Sequence, residues 1–161
     1  MFDTRATQAD PLWHHDAPIR RLGHAEILDA AAFVAALPEQ VRYRRFHRSM
    51  SAAMVHDHYA ALDWNTAIVL AWSEGGEILG IAELHLYDAP GCPEAEIALT
   101  LEPDAGPIGL PLMACALSRA AAAGTRRSRM LLCPPDPAQH GIARRLGARF
   151  DVAHDTFVFT H

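Results

Sequence analysis

The chain has 161 residues, half of them hydrophobic, which suits one compact domain with a substantial core. Its net charge is −5 with the histidines neutral, and its basic residues are scattered apart from short groups at 42–45 and 126–129, which excludes a phosphate-backbone footprint and predicts no nucleic-acid partner. Cys92, Cys115 and Cys133 form no C-x-x-C pair, no apolar run approaches a membrane span and the N-terminus lacks a signal-peptide pattern, so the expectation is a cytoplasmic protein without disulfides, structural zinc or membrane contact.

Residues 1–16 are polar and aperiodic and read as a flexible or extended arm, leaving 17–161 as a single domain. A short strand is expected at 18–22. A helix follows over 24–37, where Ile27, Leu28, Ala31, Val34 and Leu37 recur at helical spacing until Pro38 stops the run. After VRYRRFHR, Ser49 is placed to cap a second helix with Met54, Val55, Tyr59 and Leu62 on its apolar stripe. Strands are predicted over 67–72 and 77–87, joined through Glu74-Gly75-Gly76, because glycine reaches positive φ at little cost. A further strand at 94–101 alternates Ile97, Leu99 and Leu101 against Glu96, Ala98 and Thr100. A helix from 109 to 123 carries Leu112, Met113, Ala116, Leu117 and Ala120 on one face and stops at Gly124. A buried strand at 130–133, a helix at 138–146 and strands at 149–152 and 156–159 complete the order β-α-α-β-β-β-α-β-α-β-β.

That order resembles the GNAT N-acetyltransferase fold. The segment PIRRLGHAEILDAAAFVAALPEQVRYRRF is similar to the opening of the branch related to bacterial protein-lysine acetyltransferases, and AEIALTLEP resembles the family's fourth strand. LMACALSRAAAAGTRRSRMLL resembles the helix beneath the cofactor with its following strand, and DPAQHGIARRLGARF the late helix. The resemblance implies an α/β (α+β) domain whose mixed sheet of about six to seven strands splays between strands four and five, flanked by about four helices. It also implies an acetyl-CoA co-substrate whose pantetheine arm enters the splay along Leu99, Thr100 and Leu101. The pyrophosphate would rest on amides before the central helix, where unpaired N–H groups and the helix dipole favour an anion.

The cofactor loop departs from the family's Q/R-x-x-G-x-G/A. Asp104 stands where Gln or Arg is expected, Pro107 falls on the first motif glycine, and Gly109 on the second. Proline has no N–H, and Asp104 puts negative charge near a negative ligand, so binding is expected to weaken. Gly106, Ile108, Gly109 and Leu110 keep their amides as cofactor-binding candidates, and Pro111 falls where the donor has no intrahelical partner. The same stretch also reads as a tight loop entering a helix.

The chemistry implied by the resemblance needs a base for an ammonium, a donor to polarise the thioester carbonyl, and an acid for the thiolate. Glu96, within AEIA, occupies the position of the strand-four glutamate and is the catalytic candidate; Glu83 and Glu94 are read as solvated edge carboxylates. The carbonyl donor would be a strand-four amide near Leu99 or Leu101. Many relatives carry a late-helix Tyr as acid where this chain has Ala143, and Asp136 stands at the position of the Asn that begins that segment. Tyr87, Cys133 or water are the substitutes. No metal is expected: His14-His15-Asp16 falls in the arm, and His56 and His58 point to different helix faces. The arginines of VRYRRFHR read as a solvated helix flank with Tyr43 and Phe46 as core anchors, although Arg45 and His47 could face the acceptor. The terminal strands, with Phe150, Phe157 and Phe159, offer edges for a homodimer. Two functions therefore stand: an N-acetyltransferase acting on a primary amine of a small molecule or a lysine, and a catalytically impaired CoA-binding or regulatory domain.

Overall fold

A computed structural model describes residues 18–89, 92–131 and 136–161. The expected arm at 1–16 and Cys133 lie outside the described residues. Strand β1 (Ile19–Arg21) leads through a 3-10 turn into helix α1 (Ile27–Ala36). Pro38 ends that run as expected, but its extended φ/ψ of −52°/145° also starts a new helix, α2 (Glu39–Phe46), over the arginine-rich stretch. Helix α3 (Ala52–Ala60) is capped by Ser51 rather than Ser49: the Met54 N–H donates to Ser51 Oγ at 3.3 Å.

Strands β2 (Ala67–Glu74) and β3 (Glu77–Ala89) form the expected hairpin, with both turn glycines at positive φ. Strand β4 (Cys92–Leu101) pairs antiparallel with β3, and helix α4 (Gly109–Ala122) then crosses to β5 (Arg127–Leu131). That crossover makes β4 and β5 the one parallel pair, since parallel neighbours need a long connection. Helix α5 (Pro137–Arg145) precedes β6 (Arg149–Asp151) and β7 (Thr156–Thr160), and the sheet order is β1-β2-β3-β4-β5-β7-β6. Seven strands meet the expectation; the flanking helices number five among the described residues, the additional one being α2.

Alternation along the strands divides the apolar residues between two cores. Leu84, Ile97 and Phe157 face α4 with Leu112 and Met113. Val69, Ala71 and Ile81 face α1 and α3, meeting Val34, Val55 and Tyr59. Tyr43, expected as a core anchor, is 45% exposed, whereas Phe46 packs against the second core. No helix among the described residues is long and apolar enough to cross a membrane.

Candidate functional site

Strands β4 and β5 are paired only at Glu94↔Arg127, Ala95↔Ser128 and Glu96↔Arg129. Beyond that point β4 continues to Leu101, while β5 stays with β7 through Met130↔Phe157 and Leu131↔Thr156. The two strands therefore part after Glu96, and α5 fills part of the wedge. Gln139 Nε2 donates to the Leu99 carbonyl at 3.0 Å, satisfying a β4 acceptor that β5 has left behind. A residue's N–H and C=O project to the same edge of a strand, so the Leu99 amide also faces the gap. The opening is a cleft of about 770 Å³ between this edge, α2, Gly106 and the start of α5.

The cleft brings together Glu96, Leu99, Thr100, Leu101, Gly106 and Asp136. Glu96 is exposed within it, near Tyr87, whose phenol is pushed up by burial and by the Glu96 charge. The Thr100 hydroxyl is buried with no hydrogen-bond partner among the described residues. Gly106 has a φ of +69°, and the following Gly106–Ile108 segment is a 3-10 turn whose i→i+3 bonds compete with any ligand for the same amides. Ile108 and Gly109 turn inward. A Cβ at Gly109 would lie 2.7 Å from Ile142 Cδ1 and 2.8 Å from Leu101 Cδ1, so α4 packs closely on β4 and α5 here and an added methyl would displace the ends of those two side chains. Leu110 is half-buried beside it.

Asp136 is engaged twice: Oδ1 caps α5 by accepting from the Ala138 and Gln139 amides, and Oδ2 accepts from Arg44 Nη1 at 3.2 Å. This second contact ties α2 to α5 across the cleft. Ala143, standing where an acid would be expected, is fully buried in the core.

The reading of Glu83 as a solvated carboxylate is corrected: its exposure is 1%. Arg45, also misread as solvated flank, grips it with Nε on Oε1 at 3.1 Å and Nη2 on Oε2 at 2.8 Å, and Tyr59 Oη donates to Oε1 at 2.6 Å. His58 and His85 place Nε2 at 3.6 and 3.7 Å from Oε2. Burial alone would raise the Glu83 carboxyl; the Arg45 guanidinium, with the two imidazoles nearby, outweighs it and holds the group well below the usual range. Burial and the Glu83 charge push the Tyr59 phenol well up. Glu94 is likewise paired rather than free, with Arg127 and with Arg129 Nε at 3.0 Å. The signal available in the sequence was Glu83 inside the otherwise apolar IAELHL, together with an excess of arginine in VRYRRFHR, because a carboxylate buried in a strand needs a cationic partner.

Seven strands in this order, with one parallel pair splaying midway and a helix crossing beneath it, define the GNAT fold, and this chain has it. It is similar to the GNAT domain of S. lividans PAT, with 21% identity over 89% of each chain and a TM-score of 0.71. It also resembles PaiA N-acetyltransferase from Thermoplasma acidophilum, a structure solved with coenzyme A, at 16% identity over 89% of this chain and 98% of that one, TM-score 0.64. An N-acetyltransferase from Staphylococcus aureus Mu50 matches at 12% identity over 88% and 96% of the two chains, TM-score 0.65. No family model and no curated protein matches the chain.

Proposed function

We propose that the chain is an acetyl-CoA-dependent N-acetyltransferase acting on a primary amine, and that it works in the cytoplasm. The observation that carries this is the end of the β4–β5 ladder at Glu96↔Arg129, which opens a cleft edged by the Leu99 backbone beside an exposed carboxylate. Acetyl-CoA supplies the activated acetyl group. The acceptor nitrogen bonds to the carbonyl carbon as the carbon–sulfur bond breaks, the ammonium proton having passed to Glu96, directly or through water, and the thiolate leaving takes a proton from solvent. Leu99 offers its amide to the carbonyl oxygen, and Gly106 and Leu110 offer theirs to the pyrophosphate. With Ala143 in the core, leaving-group protonation from water is the simplest route.

A second reading, a CoA-binding or regulatory domain without catalysis, is favoured by Pro107, the 3-10 turn and the Asp104 charge at the cofactor loop. Thermal melting with acetyl-CoA and thiol release with a panel of amines separate the two. Transferase function requires both a raised melting temperature at saturating acetyl-CoA and thiol release that Glu96→Gln cuts by about 10²-fold or more. A shift without thiol release from any amine favours the binding domain, and no shift defeats both.

A further inference from the structure

The charges around the acceptor end of the cleft are spent in a way that leaves one exception. Arg45 is committed to Glu83, Arg44 to Asp136, Arg42 to the Ala35, Leu37 and Met50 carbonyls, and Arg127 and Arg129 to Glu94. Arg48, which lines the cleft and is exposed, has no partner among the described residues. Its neighbour His47 also lines the cleft and closes α2 in the left-handed conformation, φ 56°, with its N–H on the Tyr43 carbonyl at 2.7 Å. Glycine is the relaxed residue at such a helix end, and a side chain held there instead invites a functional explanation. Burial and the nearby Arg45 charge lower the His47 imidazole, outweighing the Glu96 charge that acts to raise it, so at neutral pH it is a neutral ring able to donate one hydrogen bond.

The position of Arg48, two residues beyond the end of α2, separates it from the cofactor phosphates. Helix α2 runs against β4: Pro38, before its start, lines a second cleft with Glu102 and Pro103, next to the Gly106 loop. Farther along, Arg45 reaches Glu83, which lies across from Ala98, and His47 feels the Glu96 charge. At about 1.5 Å per residue, some 12 Å of helix lies between the phosphate end and Arg48. An anion met by Arg48 and His47 thus sits near the attacking nitrogen. The Arg44–Asp136 tie across the cleft suits a small acceptor.

We infer that the acceptor is a free amino acid, its amine at Glu96 and its own carboxylate at Arg48 and His47. This rests on the acetyltransferase reading above. Such a ligand completes the site electrically: the available carboxylate meets the ammonium, and the unpartnered guanidinium offers a forked pair of donors to the carboxylate.

The test is thiol release from acetyl-CoA with the common amino acids, their carboxamides, and an acidic lysine-containing peptide. At least one free amino acid should exceed its carboxamide in kcat/KM by tenfold or more. Arg48→Gln should raise KM for that amino acid about tenfold, with kcat within twofold and the carboxamide unaffected, and Arg48→Lys should recover much of the loss. If Arg48→Gln melts below the wild type, the acid-against-amide comparison on the unaltered protein decides alone. Equal use of acid and amide, an Arg48→Gln effect of the same size on both, or a peptide preferred over every free amino acid overturns the inference while leaving the transferase reading intact. No thiol release from any amine, with no thermal shift from acetyl-CoA, overturns both.

Discussion

Glu83 is a carboxylate held ionised in the protein interior by Arg45 and Tyr59. Removing one member of a buried ion pair strands the other, so Glu83→Leu should cost about 3–5 kcal/mol in urea denaturation. Combining it with Arg45→Met should cost less than the sum of the single variants, because no unpaired charge is then left inside. The pH dependence has a defined sign. A carboxyl lowered in the folded state contributes fully above its unfolded value, about 4.3, and loses that contribution as pH falls through the lower folded value. The wild type should therefore lose stability more steeply below about pH 5 than Glu83→Leu, as read from urea midpoints across a pH series.

At the scale of elements, the entry to α4 is shaped by two demands that a sequence motif blends into one. Gly109 matches a cofactor-loop glycine, yet it also lets the side chains of Leu101 and Ile142 pack where a Cβ would stand. Gly109→Ala should change stability by less than about 1 kcal/mol, measured by denaturation without any ligand, because alanine's helical preference offsets the displacement of two flexible side-chain ends. Pro107 is the reverse case: exposed, at φ −81°, and without an amide to offer. Pro107→Gly restores an N–H at the loop and should tighten acetyl-CoA binding about tenfold by calorimetry, the worth of one hydrogen bond to a charged group. An unchanged affinity would separate this loop from the pyrophosphate. Element positions followed from periodicity with two exceptions. Strand β5 starts at Arg127 rather than at 130, because Arg127 and Arg129, which pair with Glu94, alternate with the buried Ser128 and Met130 and hide the apolar pattern, while 132 and 133 lie outside the described residues. Helix α2 carries a strongly polar sequence with no fully buried residue, so it has no apolar stripe to read; contacts from Arg42 and Arg45 to the rest of the molecule hold it in place.

Across the whole molecule, α2 bridges the two sides of the splay, through Arg45 to β3 and through Arg44 to the start of α5. Asp136→Ala removes both the α5 cap and this bridge. It should cost about 1 kcal/mol in global stability, with faster hydrogen exchange at the Ala138 and Gln139 amides, which Asp136 accepts from in the wild type. Unchanged exchange at those two amides would show that the cap and bridge do not hold the cleft.

From its sequence alone this protein determines the order of strands and helices apart from α2, and the β2–β3 turn. Those features arise from periodicity and backbone preference, which act over a few residues. Only the tertiary structure decided which polar side chains are buried, where β4 and β5 part, and which cleft-lining arginine is left without a partner among the described residues. Arg45 meets Glu83 across 38 positions and Arg44 meets Asp136 across 92. A long charged side chain has no local preference for its partner; it takes the one that packing delivers.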